Sequence, residues 1–305
     1  MQQAYLIGMV AALVLVVGPL LFGFAGWLHA RRAPAVATVG LPARWNWRLS
    51  VASTLLYTLA FNLTFFLQEL FLVLPKALTP GLRPTLFHNN HSWEGENPLA
   101  GLFQGTGAVA ILLSGLLCAL LVKHGVGRSK TTRLFLVWMA YCGCFMALPQ
   151  VVIGALSSGS DLGMAMAYLQ LGATAKTMMA LVALAAILPI ALRLGHSLLE
   201  LADDKARVAS TRARNRFVFQ VATLPALVAI VLILPFRLPR ELVEVVMVPL
   251  VVTLVGIAWI QAAAWRMPEV EVDGPRNVSI AWPLGAVVLL LLAFQLVLRP
   301  GIRFY

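Results

Sequence analysis

Charge is scarce in this sequence: 11% of its 305 residues are Asp, Glu, Lys or Arg, against about 25% in an ordinary soluble domain. Cysteine is scarcer still, and three residues cannot build a disulfide scaffold. Five histidines are too few for the His-rich boxes of membrane di-iron enzymes, and no His-Glu-x-x-His metalloprotease pattern occurs. A Walker glycine-lysine loop, a Gly-x-Gly-x-x-Gly dinucleotide loop and a Gly-x-Ser-x-Gly nucleophile elbow are all missing.

Hydrophobic residues make up 60% of the chain, and mean hydropathy is +0.87. Disorder and an ordinary globular domain are excluded together, which leaves a polytopic membrane protein. Eight apolar runs cover 4–28, 50–74, 99–122, 134–156, 162–192, 217–236, 243–265 and 279–298. Each is about as long as the ~20 residues a helix needs to cross a bilayer. The expected fold is therefore all-α, a single bundle of about eight transmembrane helices over 1–305, with no loop long enough for a separate domain. The first run has no basic leader and ends at Arg31-Arg32 without a small-residue cleavage site, so it reads as a first span rather than a signal peptide. The fifth is long and carries Pro189 near its end. It reads as one tilted or kinked helix, with a split near Gly172 as the alternative.

The net charge of +11 invites a nucleic-acid reading, but the Lys and Arg residues fall between the apolar runs rather than on one patch. Loops after runs 1, 3, 5 and 7 hold 4, 4, 6 and 2 of them, 16 in all, whereas the opposite side holds 6 and Lys176 lies within a run. The positive-inside rule makes the first set cytoplasmic and both termini outward, in a bacterial-type inner membrane. Residues 75–98 then form an outward (periplasmic) loop, and 193–216 a cytoplasmic basic connection suited to anionic lipid. Trp27, Trp45, Trp47, Trp93, Trp265 and Trp282 near run ends fit an interfacial belt. Gly101 and Gly105, followed by Gly107 and Gly115, read as a close-packing helix face.

Ionisable groups inside a membrane mark functional sites by default. Glu69 in run 2 and Lys176 in run 5 qualify. Asn62, Glu69 and Lys76 recur every seven residues on one face of run 2, with Gln68 beside them, and Gln170 flanks Lys176. These six residues make a candidate polar pathway for a proton, an ion or a substrate headgroup, with Glu69 and Lys176 as the charge-bearing pair. A bland alternative is an ion pair that merely holds the bundle together.

The outward loop holds a second constellation. If 88–94 is helical, His88, His91 and Glu94 share one side and, above Glu69, offer nitrogen and oxygen ligands suited to zinc or copper. The leading expectation is transport or ion-coupled translocation through an outward pocket lined by runs 2, 3 and 5. A membrane-embedded metal-dependent enzyme or metal-handling factor is the second reading. An accessory subunit docking other membrane proteins is the third. The bilayer is the one partner common to all three.

Overall fold

The computed structural model describes residues 2–32, 45–127, 129–272 and 278–305. Arg44, Arg128 and Arg276, counted above for orientation, lie outside them. Within the described residues eight helices are long and apolar enough to cross a membrane. They are α1 (Gln2–Arg32), α2 (Trp47–Ala77), α3 (Leu99–Lys123), α4 (Lys130–Leu156), α6 (Ala173–Leu199), α7 (Thr211–Arg237), α8 (Leu242–Ala263) and α9 (Ala281–Leu298). A short ninth helix, α5 (Asp161–Tyr168), precedes α6. A three-stranded antiparallel sheet closes one end of the bundle, built from β1 (Arg83–Leu86), β2 (His91–Glu94) and β3 (Ile302–Arg303) in the order β2-β1-β3.

Helices α2 and α4 form the centre: 72% and 67% of their apolar windows are buried, against 11% for α1 and 22% for α9. Their polar residues explain how. Thr54, Thr58 and Asn62 on α2 each return a hydrogen bond to the carbonyl four residues back, so they sit in an apolar core with a partner supplied by their own helix. Trp138 of α4 donates to Ser53 of α2 at 3.0 Å. Tyr57 of α2 meets Thr253 of α8 at 2.7 Å, and the Tyr141 hydroxyl donates to the Val252 and Thr253 carbonyls. Tyr57, Trp138 and Tyr141 also meet edge to face, which fixes α2 against α4, while the hydrogen bonds to Val252 and Thr253 add α8. The outer helices leave Leu13, Val16, Leu20, Leu289 and Leu296 more than half exposed, a surface suited to hydrocarbon rather than water.

The glycine face of α3 is a packing face. A Cβ on Gly107 would meet the Gln68 carbonyl at 2.8 Å, and one on Gly115 would meet the Cα of Gly143 on α4 at 3.0 Å. Only hydrogen at these positions lets the backbones approach.

Two expectations about local structure are corrected. The fifth apolar run is not one helix. Gln170 takes φ +51°, and the Leu171 amide bonds back to the Met166 carbonyl at 3.0 Å, a left-handed helix terminator. Helix α6 begins afresh at Ala173, so the break falls near Gly172, where the alternative placed it. The stretch 88–94 is not helical either. Phe87 and Asn90 close a turn by a 2.8 Å backbone bond, and Leu86 pairs with His91 across a hairpin that β3 extends.

Candidate functional site

The α2 stripe reaches its polar end beneath this hairpin. In a strand, alternate side chains face opposite ways, so His91 and Trp93 of β2 point toward α2 while Ser92 and Glu94 are exposed. Glu69 and Lys76 lie seven residues apart, about 10.5 Å along a helix axis, too far to touch directly. His91 bridges them. Its Nδ1 lies 2.8 Å from Glu69 Oε2 and its Nε2 lies 3.3 Å from Lys76 Nζ. An ammonium carries only donors, so Lys76 donates to Nε2, and the imidazole's proton sits on Nδ1 and is donated to the carboxylate. Lys76 also donates to the Leu72 carbonyl at 2.9 Å and lies 4.5 Å from the Trp93 ring centre. Trp93 stacks on His91 at 5.8 Å. Lys76 is wholly buried and Glu69 nearly so.

A cavity of about 460 Å³ opens beside Glu69, between α2, α4, α7 and α8. Its polar groups come from four places: Gln68 and Glu69 on α2, Gln150 on α4, Asp161 at the start of α5, and Arg237 with Arg240 at the turn from α7 to α8. Gln150 donates to the Gln68 side chain at 2.8 Å. Phe65, Phe145, Met146 and a row of α8 side chains supply the apolar walls. Burial raises the Asp161 carboxyl above its ordinary range and the Glu69 carboxylate adds to this, while His91 and Lys76 pull it down. Arg237 and Arg240 instead act on His88. That imidazole is pushed below its ordinary value by burial, only partly offset by the Leu238 backbone, with Arg299, Arg240 and Arg237 adding to the depression.

Of the sequence-predicted pathway, Glu69, Lys76 and Gln68 converge here. Asn62 does not, because its side chain is spent on the Thr58 carbonyl within α2 at 2.8 Å. Gln170 is exposed at the break between α5 and α6. Lys176 stands in the first turn of α6 rather than midway along a span, and the hydrogen-bonded partner of Glu69 is His91. The suggested His88, His91 and Glu94 ligand set is also dispersed. His88 packs in the hairpin turn near the arginines, His91 faces α2 and Glu94 faces outward. Among the described residues no group of three or more His, Cys, Asp or Glu side chains is placed to hold a metal ion.

Asp161, Gln150, Arg237 and Arg240 were not singled out by sequence. The available signals were Gln150 beside Pro149 inside an apolar run, and two arginines on the side poorest in positive charge. No family model matches the chain, and no curated protein or solved structure resembles it significantly.

Proposed function

We propose that this is a transport-type integral membrane protein whose cavity binds its substrate at the outward end of the bundle and links that binding to proton movement. The observation that carries the reading is the continuous chain Lys76–His91–Glu69, one end of which lines the cavity. The chain has two arrangements with the same atoms. In one, Lys76 is an ammonium and Glu69 a carboxylate. In the other, Lys76 has passed a proton to His91 Nε2 and His91 has passed its Nδ1 proton to Glu69, leaving all three neutral. Glu69 can then lose that proton to the cavity or keep it, so the charge met by a substrate depends on proton traffic through His91. The Lys and Arg bias supports an outward-facing hairpin end, and the reading takes a bacterial-type inner membrane as its setting.

The test uses proteoliposomes incubated with a cellular small-molecule extract under an imposed pH gradient, their lumen contents then read by mass spectrometry. At least one compound is expected to accumulate over empty vesicles, and to stop accumulating with a protonophore or in Glu69→Gln. Accumulation of nothing, or accumulation indifferent to both, overturns the reading.

A further inference from the structure

Helices α2, α4, α7 and α8 enclose the cavity, and the same four carry a polar seam onward from its floor, away from the hairpin. We propose that this seam is the inward half of a translocation route. A plug of Tyr57, Tyr141 and Thr253 shuts it, and movement of the inner end of α7 about a break at Gln220–Pro225 opens it. This route rests on the transport reading above and gives it a path for a polar solute.

The plug lies directly under the cavity, whose lining includes Phe145 and Val252. The Tyr141 ring centre is 4.8 Å from that of Phe145, and its hydroxyl donates to the Val252 and Thr253 carbonyls at 3.0 and 2.9 Å. Tyr57 meets the Thr253 hydroxyl at 2.7 Å. All three plug residues are fully buried, so the cavity ends on them. Tyr141 is seated against α8 at Gly256, where a Cβ would collide with its phenol. Every one of these hydrogen bonds uses a side chain of α2 or α4 to reach α8, so the plug can part without unwinding a helix.

The break is visible in the backbone of α7. Its turn Phe219–Thr223 is wound as a π-helix, in which the Leu224 amide bonds to the Phe219 carbonyl and so passes over Gln220. Pro225 has no amide to give to Val221. Two carbonyls thus lose their usual helical partner, and α2 satisfies both. Ser50 donates to the Gln220 carbonyl and Ser53 to that of Val221. A broken turn within a span is tolerated where a neighbouring helix supplies such donors, and it is where a helix bends.

Paired polar groups between helices are accounted for by packing alone, as with Asn215 and Thr223 of α7, which bond to Gln261 of α8. Gln220 is different. It is 4% exposed, and its amide nitrogen has no hydrogen-bond partner among the described residues. A buried donor left over at the break is one that a polar solute or water entering the seam would satisfy.

Ser50→Cys and Ser53→Cys report on the seam, and Ala191→Cys, fully buried on α6 away from it, is the control. The full-length variants in oriented proteoliposomes meet a charged, membrane-impermeant methanethiosulfonate on one side at a time. Peptide mass spectrometry reads each site, with the buried native Cys118, Cys142 and Cys144 as background. Both seam cysteines are expected to react from the side opposite the hairpin and not from the hairpin side, and Ala191→Cys from neither. Adding Tyr141→Phe should speed the reaction about five-fold, the factor implied by one lost hydrogen bond of ordinary strength. Thr253→Val takes its place if that variant fails to fold, and if both fail the sidedness with the plug intact decides alone. Unreactive seam cysteines overturn the route, and equal reaction from both sides overturns the plug. Reaction of Ala191→Cys at the same rate reduces the result to general loosening and overturns both. Unreactive seam cysteines beside gradient-driven accumulation sink the seam and leave transport standing. One-sided reaction without any accumulation does the reverse.

Discussion

His91 Nδ1 lies 2.8 Å from Glu69 Oε2, a bond that helps fasten a loop strand to the central helix of the bundle. The bond matters because both side chains are almost entirely removed from solvent, at 8% and 7% exposure. With Lys76 on the other ring nitrogen, three titratable groups form one unit, in which no member's charge is independent of the others.

That unit predicts non-additive stability. Lys76→Met leaves the Glu69 carboxylate buried without its cationic counterpart, and Glu69→Gln does the converse to Lys76. Breaking one side of a buried pair costs about 3–5 kcal/mol, whereas replacing both is often close to neutral. The double variant is expected to be more stable than Lys76→Met alone, with a coupling energy of about 0.5–3 kcal/mol. Thermal unfolding of all four proteins in one detergent measures it. Additive effects would mean the imidazole bridge carries no energy.

Much of the bundle was legible because hydrocarbon imposes a length and a composition on each crossing helix. Seven of the eight apolar runs coincide with helices to within a few residues. The remaining one, the fifth, divides at Gln170, where a residue at φ +51° separates α5 from α6 within a short stretch holding Gly172, Thr174 and Lys176. Misjudging that break is also what moved Lys176 into mid-span. The hairpin was illegible for another reason. Strands of four residues, one with Pro84 and the other opening on His91, carry too little alternation to compete with a helical i, i+3 spacing, and β1 finds its second partner in the remote Ile302–Arg303 strand. Glu69 and Lys76 were found because a helix face is a local property. Asp161, Arg237 and Arg240 escaped because a cavity formed by four separate segments is not.

The C-terminal strand is expected to hold the hairpin over Lys76. Its Ile302 pairs with Leu86, and the Phe304 amide donates to the Pro84 carbonyl at 3.1 Å. Deleting 301–305 should leave the helices intact while amide exchange at 83–94 rises sharply. Hydrogen exchange with mass spectrometry resolves the two regions, and unchanged protection of the hairpin would assign its order to α2 alone.

Gly301 gives a finer test of the same clamp. It has φ +90°, and a Cβ there would meet the Phe87 ring at 2.6 Å. Gly301→Ala is expected to destabilise the sheet by roughly 1–3 kcal/mol, the usual range for a strained backbone position. Gly285→Ala on α9, where nothing lies within 4 Å of the added carbon, serves as the control and should be near neutral or slightly stabilising. Equal melting temperatures for the two variants would contradict the clamp.

Two groups outside the spanning helices should give opposite pH slopes. His88 titrates below its ordinary 6.5 when folded, so it binds fewer protons folded than unfolded. Its contribution to stability is present above that pH and is lost as pH falls through the lowered value. Asp161 titrates above its ordinary 3.8, so the folded state binds more protons, and its contribution is full below 3.8 and is lost as pH rises through the raised value. At neutral pH, Asp161→Asn is therefore expected to raise the melting temperature, because it removes a buried carboxylate that Glu69 repels. His88→Gln should flatten the loss of stability between neutral pH and the acid side of 6.5. Melting curves from below 3.8 up to neutral pH separate the two. A melting temperature lowered by Asp161→Asn at neutral pH would show the carboxylate to be held by Lys76 and His91 more strongly than burial and Glu69 oppose it.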